Sequence, residues 1–199
     1  MRKNKPENEQ EQVQSKELYE WVQAVVGSVL VVVLLFTFVI RLIGVDGSSM
    51  EPTLKHGDRL LVLSSLLYDD YKYGDIVVLR KDTFLNDPIV KRVIATGGQT
   101  VDIDFEDGVV YVDNVALEEE YIYDYTYLEE GTEFPLTVPE GSIFVMGDNR
   151  NHSSDSRDSR LGTVDSRYVI GKAVVLMFPG TGENVYTEKR TLGRIGVIA

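Results

Sequence analysis

The feature that most constrains this chain is an apolar run near its start. From Val22 to Ile40 it is interrupted only by Gln23, Gly27, Ser28 and Thr37, none of them charged. As a helix rising 1.5 Å per residue, the run reaches roughly 28 Å, enough for a bilayer core. Tyr19 and Trp21 stand at its start as interfacial anchors and Arg41 closes it. A cleaved signal peptide has a shorter charged start, a shorter apolar region and a small-x-small cleavage site. Here the run leads into Arg41-Leu42-Ile43-Gly44-Val45-Asp46, which offers no such site. A core helix of this length would show polar residues at helical spacing, and this one shows almost none. The expectation is a transmembrane helix over 21–41 behind a polar, highly charged tail over 1–20. Arg2, Lys3, Lys5 and Lys16 precede the run, while only Arg41 and Lys55 follow closely. The positive-inside rule then puts the N-terminus in the cytoplasm and the domain from about Leu42 outside.

Beyond the run the periodicity shortens. Arg59–Leu63, Ile76–Leu79, Ile89–Ile94, Ser142–Met146 and Gly171–Leu176 are rich in Val, Ile and Leu and bounded by Gly, Asp or Pro, which reads as strands. Thr100–Asp104 and Val109–Val112 flank Glu106-Asp107-Gly108 as a hairpin with solvent-facing acids. These acids lack the glycine and closing glutamate of a calcium loop. Residues 117–140 are acidic and tyrosine-rich, an irregular extension without an assigned role. The fold expected is mainly β: one transmembrane helix, then an antiparallel β domain over 42–98 and 141–199, with a small inserted β subdomain over 99–140.

Composition removes several function classes. A formal net charge of −12 argues against nucleic-acid binding, which needs concentrated Lys and Arg. With no cysteine there is no Cys nucleophile, disulfide or Cys-ligated metal. Only His56 and His152 could serve a Ser-His-Asp triad, and a three-His metal site is impossible.

Three segments carry more than a strand needs. Gly47-Ser48-Ser49-Met50-Glu51-Pro52-Thr53-Leu54 is a turn of restricted backbone that can hold a hydroxyl in one place. Ser49 follows the apolar run by nine residues, at most about 30 Å of extended chain, so it lies near the membrane surface. Alone, a serine in such a turn is nearly always structural. In Ile89-Val90-Lys91-Arg92-Val93-Ile94, alternation puts Lys91 and Arg92 on opposite faces, so one charge is expected to point toward the core. A lysine among apolar groups loses hydration and its pKa falls, so that a neutral amine can take a serine proton. The plainer reading is an edge-strand lysine with its amine in water. Gly147-Asp148-Asn149-Arg150-Asn151-His152-Ser153-Ser154-Asp155-Ser156-Arg157 is a dense polar loop, either a rigid network around a neighbouring group or a solvated surface loop. Its Asn151-His152-Ser153 also matches a glycosylation acceptor, a weak pattern.

In this order behind one span, the segments resemble the conserved boxes of the type I signal peptidase family, over about residues 20–178. The resemblance implies a serine endopeptidase in which Ser49 is the nucleophile and Lys91 the general base. It implies that Ser153 hydrogen-bonds the lysine amine, that Asp155 and Arg157 hold the loop by an ion pair, and that Asp148 is structural. The Ser49 N–H becomes one oxyanion donor, and Val45, Met50 and Val90 line shallow pockets for small residues. It implies no cofactor and no metal. The partners it implies are signal-peptide-bearing preproteins, a phospholipid membrane and the secretory translocon. Gly47 stands where some members have a serine, as in many Gram-positive ones, which leaves the second oxyanion donor unassigned. Asp158-Ser159-Arg160 repeats the Asp155-Ser156-Arg157 pattern, so two registers compete. The insert between Lys91 and Gly147 is short, which suggests a reduced second subdomain.

Two other functions compete. A self-cleaving repressor relative with the same dyad would be soluble and carry a cleavable linker or DNA-binding module, neither visible here. An anchored paralogue that binds exported proteins without cutting them is opposed by the presence of both Ser49 and Lys91.

Overall fold

The structure, a computed structural model, describes residues 6–182 and 191–198, with side chains from residue 16 onward. It divides into two units, 1–39 and 40–199.

The first unit is helical. Helix α1 (Pro6–Leu34) passes into one π-helical turn at Leu35–Val39. The helix therefore takes in residues 6–20 of the polar tail; residues 1–5 of that expected tail lie outside the described ones. Proline at the first helical position lacks an N–H that would have gone unpaired there. Lys16–Val39 is long and apolar enough to cross a membrane, and its apolar side chains are exposed. The far end departs from the sequence expectation. Ile40 and Arg41, placed in the span by their neighbours, begin strand β1 (Ile40–Gly44), because their backbone pairs with Leu63 and Val62.

The second unit is antiparallel β. In chain order it continues with β2 (Arg59–Ser64), β3 (Ile76–Leu79), β4 (Ile89–Thr96), β5 (Thr100–Asp104), β6 (Val109–Val112) and β7 (Val115–Ala116). Then come β8 (Leu136–Thr137), β9 (Ser142–Met146), β10 (Val164–Asp165), β11 (Val169–Phe178) and β12 (Gly196–Val197). The larger sheet runs β1-β2-β11-β3-β4-β9-β10, with β12 added to β11; the smaller runs β7-β6-β5-β8. The smaller sheet falls within the stretch from Gly97 to Gly141, which contains no Lys or Arg.

Strand β3 is buried along its whole length, because apolar side chains cover both faces of the large sheet. Ile76 and Val78 join Val45, Met50, Leu54, Leu60, Val62 and Val90 in one cluster. Val77 and Leu79 join Tyr71, Val93 and Val145 in another. A third cluster joins Ile94, Phe144 and Met146 of the large sheet to Val101, Ile103, Val110 and Val112 of the small one. A strand covered on both sides reads as a continuous apolar run, and any charge in it must find a partner inside.

Candidate active site

The segment between β1 and β2 carries Ser49. Gly47 has φ +91°, a backbone conformation that glycine adopts without steric cost, and its N–H donates to His56 Nδ1 at 3.2 Å. Met50 and Leu54 are buried and pin the far side of the turn, leaving Ser49 half-exposed. The Ser49 carbonyl accepts the Asn149 N–H at 3.1 Å, and the Ser48 carbonyl accepts Asn149 Nδ2 at 3.2 Å. Val45, Met50 and Val90, the expected pocket residues, share one buried cluster.

Lys91 sits on β4 opposite Val77 of β3. Its Nζ lies 2.7 Å from Ser49 Oγ. Alternation led us to expect one inward charge at positions 91 and 92. Both are buried, Lys91 3% and Arg92 2% exposed, because neither face of the sheet opens to water there. Burial lowers the Lys91 pKa to about 8; Asp155 opposes the fall, Arg157 adds to it, and Glu130 and Asp148 oppose it again. An amine with a pKa near working pH can be present in its neutral form and accept a proton.

Arg92 is held by Asp148, Nε to Oδ1 and Nη2 to Oδ2, both at 2.8 Å. Asp148 Oδ2 also accepts Thr53 Oγ1 at 2.5 Å. One carboxylate thus joins the lysine strand, the serine turn and the loop after β9. Tyr121 lies across the Arg92 guanidinium, its ring centroid 4.0 Å away.

The loop that follows is internally bonded. Asp155 takes Arg157 in a bidentate pair, Nε to Oδ1 and Nη2 to Oδ2, each 2.9 Å. Its Oδ2 also accepts the Gly147 N–H and the Ser153 hydroxyl, each at 2.9 Å. Among the described residues Ser153 does not bond the Lys91 amine, the contact that the resemblance implies; its hydroxyl donates to Asp155, and Lys91 Nζ lies against Ser49 Oγ. A Cβ on Gly147 would collide with Ser153 Oγ and the Ser49 carbonyl oxygen, so only glycine lets the loop approach the serine turn. The competing repeat folds alike, Arg160 pairing with Asp158, but Arg160 is 71% exposed while Asp155 and Arg157 are wholly buried. The Asn151 side chain is occupied in bonds with the backbone of Tyr125, Tyr127 and Leu128.

Segment 117–132, to which no role could be given from its residues, straps this loop. Glu119 takes Arg150 through two bonds of 2.8 and 2.6 Å, and Thr126 accepts a third from Arg150 at 3.0 Å. The Leu128 carbonyl accepts from Arg157 at 3.1 Å, and the Tyr123 N–H donates to the Asp148 carbonyl at 3.0 Å. Among the described residues, each of the fully buried arginines Arg92, Arg150 and Arg157 therefore meets a partner from the strap. The C-terminal tail contributes as well. Arg194 bonds both oxygens of buried Asp58, at 3.1 and 2.7 Å, and the Thr53 carbonyl at 3.0 Å. Residues 183–190 and 199 of that tail lie outside the described ones.

Arg92 and Arg150 stand in the lysine strand and the polar loop read from sequence, but without a role; Glu119, Tyr121, Glu130 and Arg194 are not singled out there. Glu119 and Arg194 carry no sequence signal, because their partners are distant in the chain. Among the described residues no group of three or more His, Asp or Glu is placed to hold a metal ion.

The family model "Signal peptidase, peptidase S26" matches residues 18–178. A signal peptidase I of Bacillus licheniformis is 37% identical over 170 residues, covering 81% of this chain and 89% of that protein. Signal peptidase I T of Bacillus subtilis is 36% identical, covering 80% and 85%. A probable signal peptidase I-1 of Synechocystis is 38% identical, covering 74% and 79%. The matched region contains the serine turn, the lysine strand and the polar loop in the order already described, and the chain belongs to the signal peptidase family, peptidase S26.

Proposed function

We propose that this chain is a membrane-anchored serine endopeptidase that removes signal peptides from exported preproteins, with Ser49 as nucleophile and Lys91 as general base. The observation that carries the assignment of roles is the 2.7 Å contact between Lys91 Nζ and Ser49 Oγ, with the amine buried. Neutral Lys91 takes the Ser49 hydroxyl proton as Oγ attacks the scissile carbonyl carbon. The ammonium so formed gives that proton to the leaving amine, the C–N bond breaks, and the signal peptide remains as an ester on Ser49. Lys91, neutral again, takes a proton from water as its oxygen attacks the ester carbonyl, and returns that proton to Ser49 Oγ as the ester C–O bond breaks, which completes hydrolysis. The Ser49 N–H, which carries no hydrogen bond among the described residues, faces the oxyanion as one donor. The Gly47 N–H is engaged by His56. Val45, Met50 and Val90 accept the small side chains beside the scissile bond, and Ser153, Asp155, Arg157 and Asp148 hold the surrounding loop.

The same reading divides the chain into a tail (1–20), an anchor (21–41 by sequence), a catalytic domain (42–98 with 141–199) and an inserted subdomain (99–140). Basic residues weighted before the apolar segment support a cytoplasmic N-terminus and a catalytic domain on the outer face of the cell membrane, where preproteins leave the translocon. Cleavage of a signal-peptide-bearing preprotein in detergent tests the assignment, using wild type, Ser49→Ala and Lys91→Ala, each checked for folding. Wild type should cut after a small-x-small site and both folded variants should not; equal cutting by all three would place the chemistry elsewhere.

A further inference from the structure

The strap brings one carboxyl that the mechanism does not use. The Glu130 carbonyl accepts the Ser159 N–H at 3.3 Å, and Gly131 forms an antiparallel bridge with Asp158. The Glu130 side chain is 14% exposed, and its Oε2 is buried without a hydrogen-bond partner, 3.8 Å from Arg157 Nη2. The other carboxylates near Lys91 are neutralised by cations: Asp155 shares Arg157 and Asp148 shares Arg92. Asp158, next along the loop, pairs with Arg160. Glu130 therefore adds a negative charge beside a guanidinium that already has a bidentate partner. Such a placement is costly, since burial and then Asp155 push the Glu130 carboxyl up, against the pull of Arg157.

We propose that Glu130 is a positioning residue that sets the pH range in which Lys91 can act. The proposal rests on Lys91 being the base. Burial alone drives the amine toward neutrality, and Arg157 pushes the same way. A base driven too far becomes too weak to take a serine proton, because its proton affinity falls with its pKa. Glu130 opposes the fall, because its negative charge favours the ammonium and so offsets the field of Arg157 at the amine.

Full-length protein in detergent provides the test, with kcat/KM for a preprotein followed from pH 6 to 10. In Glu130→Gln the acid limb should move to lower pH by about half a unit, so that one unit below the wild-type limb the variant holds about threefold more neutral amine. Glu130→Asp, which keeps the charge, should bring the limb back. Glu119→Gln loosens the same strap at Arg150 and should lower thermal stability while leaving the limb in place. An unmoved limb in folded Glu130→Gln overturns the proposal. So does an equal shift in Glu119→Gln, because strap integrity rather than charge would then be responsible. Failure of the underlying reading looks different: Lys91→Ala would keep its activity, or wild type would show no acid limb.

Discussion

Arg92 grips Asp148 through two 2.8 Å hydrogen bonds, and both side chains are withdrawn from solvent. Because Thr53 donates to the same carboxylate, Asp148 fixes the lysine strand, the serine turn and the polar loop to one another. The charge pair thereby holds Lys91 and Ser49 in the geometry on which the proposed dyad depends.

Asp148→Asn should therefore cost about 3–5 kcal/mol, the usual result of leaving one member of a buried pair uncompensated. Chemical denaturation of the full-length protein in detergent measures it. A loss below about 1 kcal/mol would mean that water reaches Arg92.

Activity should show an acid limb near pH 8, where burial places the Lys91 amine. Below the limb the base is protonated, and kcat/KM falls about tenfold per pH unit. A profile flat down to pH 6 would remove Lys91 from the chemistry.

Lys91 also makes a stability prediction, with the same sense in pH as its catalytic one. Its folded pKa, about 8, lies below the unfolded value of 10.5, so between these limits the unfolded chain binds the extra proton. Wild-type stability should rise with pH across that window. Below pH 8 the fold carries a buried ammonium at a cost of about 3 kcal/mol. Lys91→Met should be inactive and more stable than wild type at pH 7, and its advantage should shrink as pH climbs toward 10.5; thermal denaturation at several pH values decides.

Gly147→Ala should leave the sheet intact and lower the cleavage rate about 100-fold. The added methyl meets Ser153 Oγ and the Ser49 carbonyl, and pushing the serine turn aside by about 1 Å costs on the order of 100-fold in rate. Circular dichroism with a cleavage assay separates this from unfolding.

Arg194→Ala should lower stability by about 3 kcal/mol, since buried Asp58 would lose its cation. It should also reduce kcat, because the Thr53 carbonyl in the serine turn loses its bond from the same guanidinium. Unchanged kcat would show that the turn holds without the tail.

Much of this protein is written locally. Solvation alone decides the apolar segment, and β3, β4 and β9 are legible because their Val and Ile runs end at Gly, Asp or Pro. The candidates Ser49 and Lys91 stand out through short ordered segments of the chain, and the fold brings them within 2.7 Å. Tertiary structure alone decided the rest. The helical segment ends at Val39 because Ile40 and Arg41 find strand partners in β2. Arg92 is buried beside Lys91 because both faces of β4 are covered, a fact that alternation within one strand cannot carry. Residues 117–140 read as an acidic, irregular extension, and their part 117–132 becomes a strap only because Arg92, Arg150 and Arg157 are brought under it. Hydrophobic pattern is a property of neighbours in sequence, whereas the partner of a buried charge is chosen by proximity after folding, and the segments that hold Ser49 and Lys91 in place are of the second kind.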